Sequence, residues 1–234
     1  MKSTILDKTK LVNSVFSKVY KKYDLMNDIM SLGIHRIWKK KLIDWMNPQL
    51  NDSLIDVASG TGDIAKLFSK KIKNSNRISC VEPNDEMYFA GKANLKNFKN
   101  ITWHKAKAEK LPFKNETFDF YTISYGIRNV SDINVSLKEA LRVLKPGGRF
   151  MCLEFSKVNN EMINFLYQNY SKTIPIIGKY IVGSSKPYEY LIKSINQFYS
   201  QKELVNLMKQ NGFSNIEYRN LSNGISAIHS GWKI

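Results

Sequence analysis

The stretch that most constrains this chain is SLIDVASGTGD, residues 53–63. It opens as a short apolar run, Leu54, Ile55 and Val57, and ends in a turn of small residues with glycines at 60 and 62. A helical pattern follows at once in IAKLF, residues 64–68. Strand, tight glycine turn and helix start are how an open α/β sheet presents a nucleotide-like ligand at a strand's carboxyl end. Glycine permits the sharp turn and leaves no Cβ between chain and ligand.

The variant narrows the ligand. A dinucleotide site asks for G-x-G-x-x-G, with a helix N-terminus aimed at a pyrophosphate. Here the first motif position is Ser59, and Asp63 stands where the helix begins. A fixed carboxylate there repels a pyrophosphate but suits a cationic ligand, such as the amino group or sulfonium of S-adenosylmethionine. About 20 residues on, a second strand over residues 77–81 ends at Glu82, placed to accept hydrogen bonds from both ribose hydroxyls. The D-x-A-S-G-T-G-D turn with this strand-end acid resembles the class I S-adenosylmethionine-dependent methyltransferases.

The rest of the chain alternates helix and strand as a doubly wound sheet requires. Helices are predicted over residues 64–72 and 83–98, and a third strand over 101–104. Phe118, Phe120, Tyr121 and Ile123 read as a fourth strand buried on both faces. Its carboxyl end carries Ser124, Tyr125, Gly126, Arg128 and Asn129 over the crevice. Asp132 caps a helix to residue 144, and Lys145-Pro-Gly-Gly148 turns into a fifth strand over 149–155. Residues 156–199 are helical and rich in aromatics, with expected breaks at Pro175, Gly178, Gly183 and Pro187. A helix over 201–210 and a hairpin of strands over 213–219 and 224–229 close the sheet. Upstream, Val12, Val15, Phe16, Val19 and Tyr20 recur at helical spacing, and residues 38–46 form a further helix stopped by Asn47-Pro48. Asn27, Ser31 and His35 would line one face of an unbroken helix, but Gly33 argues against continuity. The expectation is one α/β domain over 1–234: a Rossmann-like sheet of seven strands, the last antiparallel, with helices on both faces. An N-terminal helical extension (1–50) and a helical insertion after the fifth strand (156–200) complete it.

Y-D-x-M-N-x-x-M-S-x-G-x-H-R-x-W, residues 23–38, resembles the N-terminal signature of the UbiE-type quinone-biosynthesis C-methyltransferases. The similarity runs through VFSKVYKKYD before it, the glycine loop, AKAEKLPF at 106–113 and the closing HSGWKI. The resemblance implies S-adenosylmethionine-dependent methylation of a ring carbon on a polyprenyl benzoquinol or demethylmenaquinol, toward ubiquinone or menaquinone. It implies that AKAEKLPF holds the adenine and that the insertion covers the substrate. The family's usual Asn or Asp is Lys107 here, which leaves the Ala108 amide to serve the adenine. Cofactor contacts are expected from Tyr23, Gly60, Thr61, Gly62, Asp63, Glu82, Lys107, Ala108 and Ser124. A ring carbon becomes nucleophilic when a neighbouring hydroxyl loses its proton, so a base or phenolate stabiliser is required. Arg128 is the candidate stabiliser, Asn129 the orienting group and His35 the first candidate base.

A net charge of +16 admits nucleic acid or an anionic membrane as a partner. The lysines are scattered (Lys18, Lys21, Lys22, Lys39 to Lys41, Lys70, Lys71, Lys73) rather than gathered into an arginine-rich block, so no nucleic acid is expected. There is no run of 18 or more apolar residues and no secretory pattern at the N-terminus. A polyprenyl acceptor therefore implies a bacterial cytoplasmic enzyme, weakly and peripherally held to the inner membrane, and exposed apolar surface would favour a homo-oligomer or a quinone-biosynthesis complex. Cys80 and Cys152 lie in strand runs as core thiols, and His35, His104 and His229 lack ligand spacing, so no metal is expected. Two alternatives are an acceptor such as RNA and a non-catalytic cofactor-binding scaffold. S-Y-G-I in place of an Asn-Pro-Pro-Tyr-like motif weighs against the first; intact Asp56, Gly60, Gly62 and Glu82 weigh against the second.

Overall fold

Strands β1 (Leu54–Val57), β2 (Ile78–Val81), β3 (Ile101–His104), β4 (Phe118–Ser124), β5 (Leu144–Phe155), β6 (Ser214–Leu221) and β7 (Ser226–Trp232) form one sheet, ordered β3-β2-β1-β4-β5-β7-β6. β1 to β5 pair in parallel, and β7 runs antiparallel to both β5 and β6. The strand order reverses between β1 and β4, which opens a crevice at their carboxyl ends. This computed structural model describes residues 28, 29, 31–73, 76–158, 160–182 and 185–234. The helix expected from Thr9 and the candidate Tyr23 lie outside the described residues.

Strand side chains alternate between two cores, as a pleat of period two dictates. Leu54, Ile78, Cys80, Phe120, Met151, Leu153 and Phe155 face one side. There they meet α1 (His35–Met46), α2 (Asp63–Lys71) and, from the insertion, α5 (Glu161–Val182) and α6 (Lys186–Asn196). Ile55, Val57, Tyr121, Ile123, Phe150 and Cys152 face the other, against α4 (Ile133–Val143) and α7 (Gln201–Gln210). Each fully buried Leu, Ile or Phe contributes about 1.5–3 kcal/mol, so both helical layers are fixed to the sheet. The expected seven-stranded sheet with helices on both faces, and the thiols in its core, are observed.

α1 matters most for the site, and aromatic and cationic side chains fasten it. Trp38 packs edge-on to Phe155, and its indole N–H donates to Ser222 Oγ (3.2 Å). At the other end Arg149 of β5 lies between Trp45 and Trp232, 5.0 and 4.8 Å from their ring centroids, and donates to the Trp45 carbonyl. Asn47 ends the helix in the left-handed region (φ 50°), where Asn is tolerated.

Several boundaries differ from expectation. The helix after β2, α3 (Asp85–Asn94), is shorter at both ends; at its start Asn84 caps it, accepting from the Met87 N–H. β5 begins at Leu144, not Arg149. The register jumps from Phe118↔Leu144 to Phe120↔Arg149, so Lys145 to Gly148 bulge from the β4 ladder, while Gly147 N–H donates to Lys233. Pro175 and Gly178 do not break the insertion, and α5 runs through both with Ile174 fully buried. The polar ladder from Ser31 to His35 is interrupted as Gly33 suggests, by turn residues with φ 50° at Leu32 and 77° at Gly33.

Candidate active site

The β1–α2 loop is braced from β2. The Ser59 hydroxyl donates to the Asp56 carbonyl (2.5 Å) and accepts from the Val81 N–H (3.1 Å), a stitch that a motif glycine would forgo. Gly60 and Gly62 have φ of 56° and 89°, and a Cβ at Gly62 would lie 2.5 Å from Leu95 Cδ1. Glu82 Oε2 accepts from the Gly60 N–H and Oε1 from the Asn84 N–H, both at 2.9 Å. Burial pushes its carboxyl up to about 7. Each oxygen keeps a further lone-pair direction, so ribose hydroxyls remain within its capacity.

Asp56, the third residue of β1, is 1% exposed. Its Oδ1 accepts from Thr122 Oγ1 (2.7 Å), its Oδ2 has no partner, and burial raises it to about 7. Facing it across the turn, Lys39 Nζ donates to Asp63 Oδ2 (2.7 Å). Burial raises Asp63, but the Lys39 ammonium and its hydrogen bond prevail and hold the carboxyl below its ordinary value. One turn earlier on α1, His35 is buried with Nε2 2.8 Å from Asp28 Oδ1. Asp28 also takes a two-point bond from Arg36 (3.0 and 2.8 Å), which holds its carboxyl at about 2. Burial and neighbouring Lys39 lower His35, and its Nδ1 has no partner.

On the other side of the crevice, Gly126 lets the β4 loop pass β1, since a Cβ there would lie 2.5 Å from Ala58 Cβ. Arg128 is buried. Its Nη1 donates to the Tyr125 carbonyl (2.8 Å) and to Glu154 Oε1 at the end of β5. Asn129 Oδ1 accepts from the Tyr190 hydroxyl of α6 (2.9 Å), which ties the insertion to this loop.

Between the halves lies a solvent-open cleft of ≈ 340 Å³ lined by Lys39, Asp56, Ala58, Ser59, Gly60, Thr61, Asp63, Ile64, Ser124 and Tyr125. Of the sequence candidates it gathers Gly60, Thr61, Asp63 and Ser124. His35, Glu82, Arg128 and Asn129 stand behind or beside it. Lys107 is exposed, Ala108 is buried, and neither lines the cleft. Asp56 Oδ2 and Ser124 Oγ are buried polar atoms without partners. Two carboxylates, a hydroxyl and an ammonium match the ammonium, sulfonium and carboxylate of the methionine end of S-adenosylmethionine. Sequence reasoning did not single out Lys39, Asp28 or Glu154. The four-residue step from His35 to Lys39 on one helix face was the available signal for the first.

This strand order, with a crevice at the β1–β4 reversal, is the fold of the class I S-adenosylmethionine-dependent methyltransferases. A Thermotoga maritima S-adenosylmethionine-dependent methyltransferase, described as a possible histamine N-methyltransferase, superposes with TM-score 0.67 at 20% identity, covering 94% of this chain and 99% of that one. An Aquifex aeolicus methyltransferase gives 0.63 at 16%, covering 84% and 89%. These establish the fold. The model of the ubiE/COQ5 methyltransferase family matches residues 3–233, and the chain belongs to that family. The ubiquinone/menaquinone biosynthesis C-methyltransferase UbiE of Rickettsia bellii (strain OSU 85-389) is 50% identical over 235 residues, 97% of this chain and 94% of that protein. Its counterpart in Rickettsia prowazekii (strain Madrid E) is 50% identical over 231 residues, 96% and 93%.

Proposed function

We propose that this protein transfers the methyl group of S-adenosylmethionine to a ring carbon of a polyprenyl benzoquinol, a demethylmenaquinol or both, in ubiquinone or menaquinone biosynthesis. The observation that carries this reading is 50% identity along nearly the whole chain to C-methyltransferases so named. When bound, S-adenosylmethionine supplies an electrophilic methyl on a sulfonium. Asp56, Asp63 and Lys39 hold its methionine end, Ser124 meets it from β4, and Glu82 accepts from the ribose. Arg128 and Asn129 serve the acceptor. A guanidinium beside the ring oxygen favours the phenolate, which enriches the ring carbon in electron density.

The polyprenyl tail calls for a lipid-facing surface. Among the described residues no helix is long and apolar enough to cross a membrane. Leu32, Ile34 and Ile37 are exposed, as are Met162, Phe165, Ile176 and Tyr180 on α5. The Tyr170 hydroxyl donates to the Ile29 carbonyl and joins the two segments. These side chains form a peripheral face toward the bilayer. The test of the reaction is the quinone profile of a strain lacking the protein: accumulation of a demethylated quinone is expected, and an unchanged profile refutes it.

A further inference from the structure

One buried acid has no part in the reaction as described so far. Glu154, 1% exposed, ends β5 with its Oε1 accepting from Arg128 Nη1 and from the Phe155 N–H (2.9 Å). The Phe155 ring lies 5.7 Å from the guanidinium carbon. A buried ion pair offsets its desolvation only when its remaining polar atoms are also bonded. Here Arg128 Nε and Glu154 Oε2 are both buried without partners. One spare donor and one spare acceptor on the same pair are the complement of a hydroxyl, which accepts and donates at once.

We infer that the Arg128–Glu154 pair is the subsite for a ring hydroxyl of the methyl acceptor, with Glu154 Oε2 as the proton acceptor and Arg128 as the phenolate partner. The inference rests on the proposed quinol acceptor. The balance is simple: the hydroxyl O–H bond breaks, an O–H bond forms on Oε2, and the electron pair stays on the ring oxygen beside the guanidinium. As methyl transfer forms the new C–C bond, the methyl–sulfur bond breaks and its electron pair stays on sulfur. The ring carbon then loses its own proton to solvent, and the phenolate this regenerates takes back the proton from Glu154 Oε2, which restores the base. The ionisable groups facing Glu154 are Arg128, Cys152 and Tyr190. Burial raises the Glu154 carboxyl despite Arg128, which makes it a better base than an exposed carboxylate. Tyr190 of α6, bonded to Asn129, is the side chain that must shift to admit a ring.

The experiment compares wild type, Glu154→Gln and Glu154→Asp with a short-chain benzoquinol and demethylmenaquinol kept reduced. Thermal melting and S-adenosylhomocysteine calorimetry run in parallel. Glu154→Gln keeps the shape and an acceptor atom but cannot take the proton. Its kcat at pH 7 should fall about 100-fold or more, with cofactor affinity within about twofold. Because the free phenol ionises near pH ~10, its kcat should climb steadily toward that pH, while wild type has already levelled off. A purely structural acid would not change the form of the pH profile. If Glu154→Gln does not fold, Glu154→Asp is read instead, with the same cofactor affinity and a reduced kcat expected. Near-wild-type kcat in a folded variant, a parallel pH profile, or failure of both variants to fold overturns the inference alone. A wild-type protein that methylates neither quinol overturns the proposed function and this inference with it.

Discussion

Asp56 is where burial and charge conflict most directly, and its replacement by Asn isolates the cost. The carboxyl moves from an ordinary 3.8 to about 7 because it is buried, with one oxygen bonded to Thr122 and the other to nothing. A group raised in the folded state binds its proton more tightly there than in the unfolded chain. No stability is lost below the unfolded value of about 4; the penalty grows as pH rises toward 7 and is constant above. Three pKa units correspond to about 4 kcal/mol at full development, of which about 1.5 kcal/mol is already present at pH 5. Between pH 5 and pH 8 wild type therefore loses about 2–3 kcal/mol through this one group.

In Asp56→Asn the Oδ1 still accepts from Thr122, and the amide nitrogen replaces the unpartnered oxygen. Any cost of burying that nitrogen is independent of pH, and Glu82, which titrates near the same value, cancels in the comparison. Urea unfolding of the ligand-free proteins at several pH values should show the variant gaining about 2–3 kcal/mol on wild type from pH 5 to pH 8. In melting temperature this is about 5–10 °C for a chain of this size. A stability difference that does not change with pH would refute the claim that Asp56 is buried with a raised pKa.

Three further outcomes are expected. Glu82→Ala should weaken S-adenosylmethionine binding by roughly 1.5–3 kcal/mol in calorimetry, the worth of hydrogen bonds to a charged group; unchanged affinity removes it from the cofactor site. Arg128→Lys should still fold and bind cofactor but lose turnover, because an ammonium is a single point of charge and cannot hold Tyr125 and Glu154 from one nitrogen while presenting a second nitrogen of a planar fork to a substrate oxygen; wild-type kcat would exclude Arg128 from the mechanism. The protein should co-sediment with anionic liposomes at low salt and detach at high salt, at roughly 1 kcal/mol per basic residue near the surface; equal binding to neutral vesicles at every salt concentration would exclude the electrostatic part.

What the sequence disclosed was local. Short, largely apolar strand runs, and glycines at 60 and 62, report conformations that short-range sterics already dictate. The doubly wound class followed from the alternation, and with it the place of Glu82 and of the loop after β4 at strand carboxyl ends; the strand order itself is a finding of the structure. What stayed hidden depends on register between distant elements. Arg128 meets Glu154 because Ser124 lies opposite Leu153 in the β4–β5 ladder, and nothing near either residue announces it. Lys39 reaches Asp63 because α1 is fastened to β5 and the β6–β7 turn through Trp38 and Trp45, which leaves it beside the start of α2. The insertion was legible as helical and in the break between Val182 and Lys186, but not in the breaks expected at Pro175 and Gly178, where α5 runs on with Ile174 packed in the core.

The two halves of the crevice rest on different physics, and this decides how they respond to salt. The cofactor half is a backbone turn braced by Ser59 and Glu82 and lined with carboxylates, inside a chain of net charge +16. Seen from a distance the protein repels a cation. Only within the Debye length, about 8 Å at physiological salt, can Asp63, held ionised, together with Asp56 and Glu82 as they lose their protons above about pH 7, outweigh Lys39 and the scattered surface lysines. Buried charges are screened far less than exposed ones, so the cofactor's attraction to the cleft persists at ionic strengths that abolish the surface field. The electrostatic part of the proposed lipid attraction comes from that surface field, while the part carried by the apolar face does not. Rising salt should therefore weaken the proposed hold on an anionic membrane while leaving the affinity for the methyl donor nearly unchanged, so a salt series distinguishes the two.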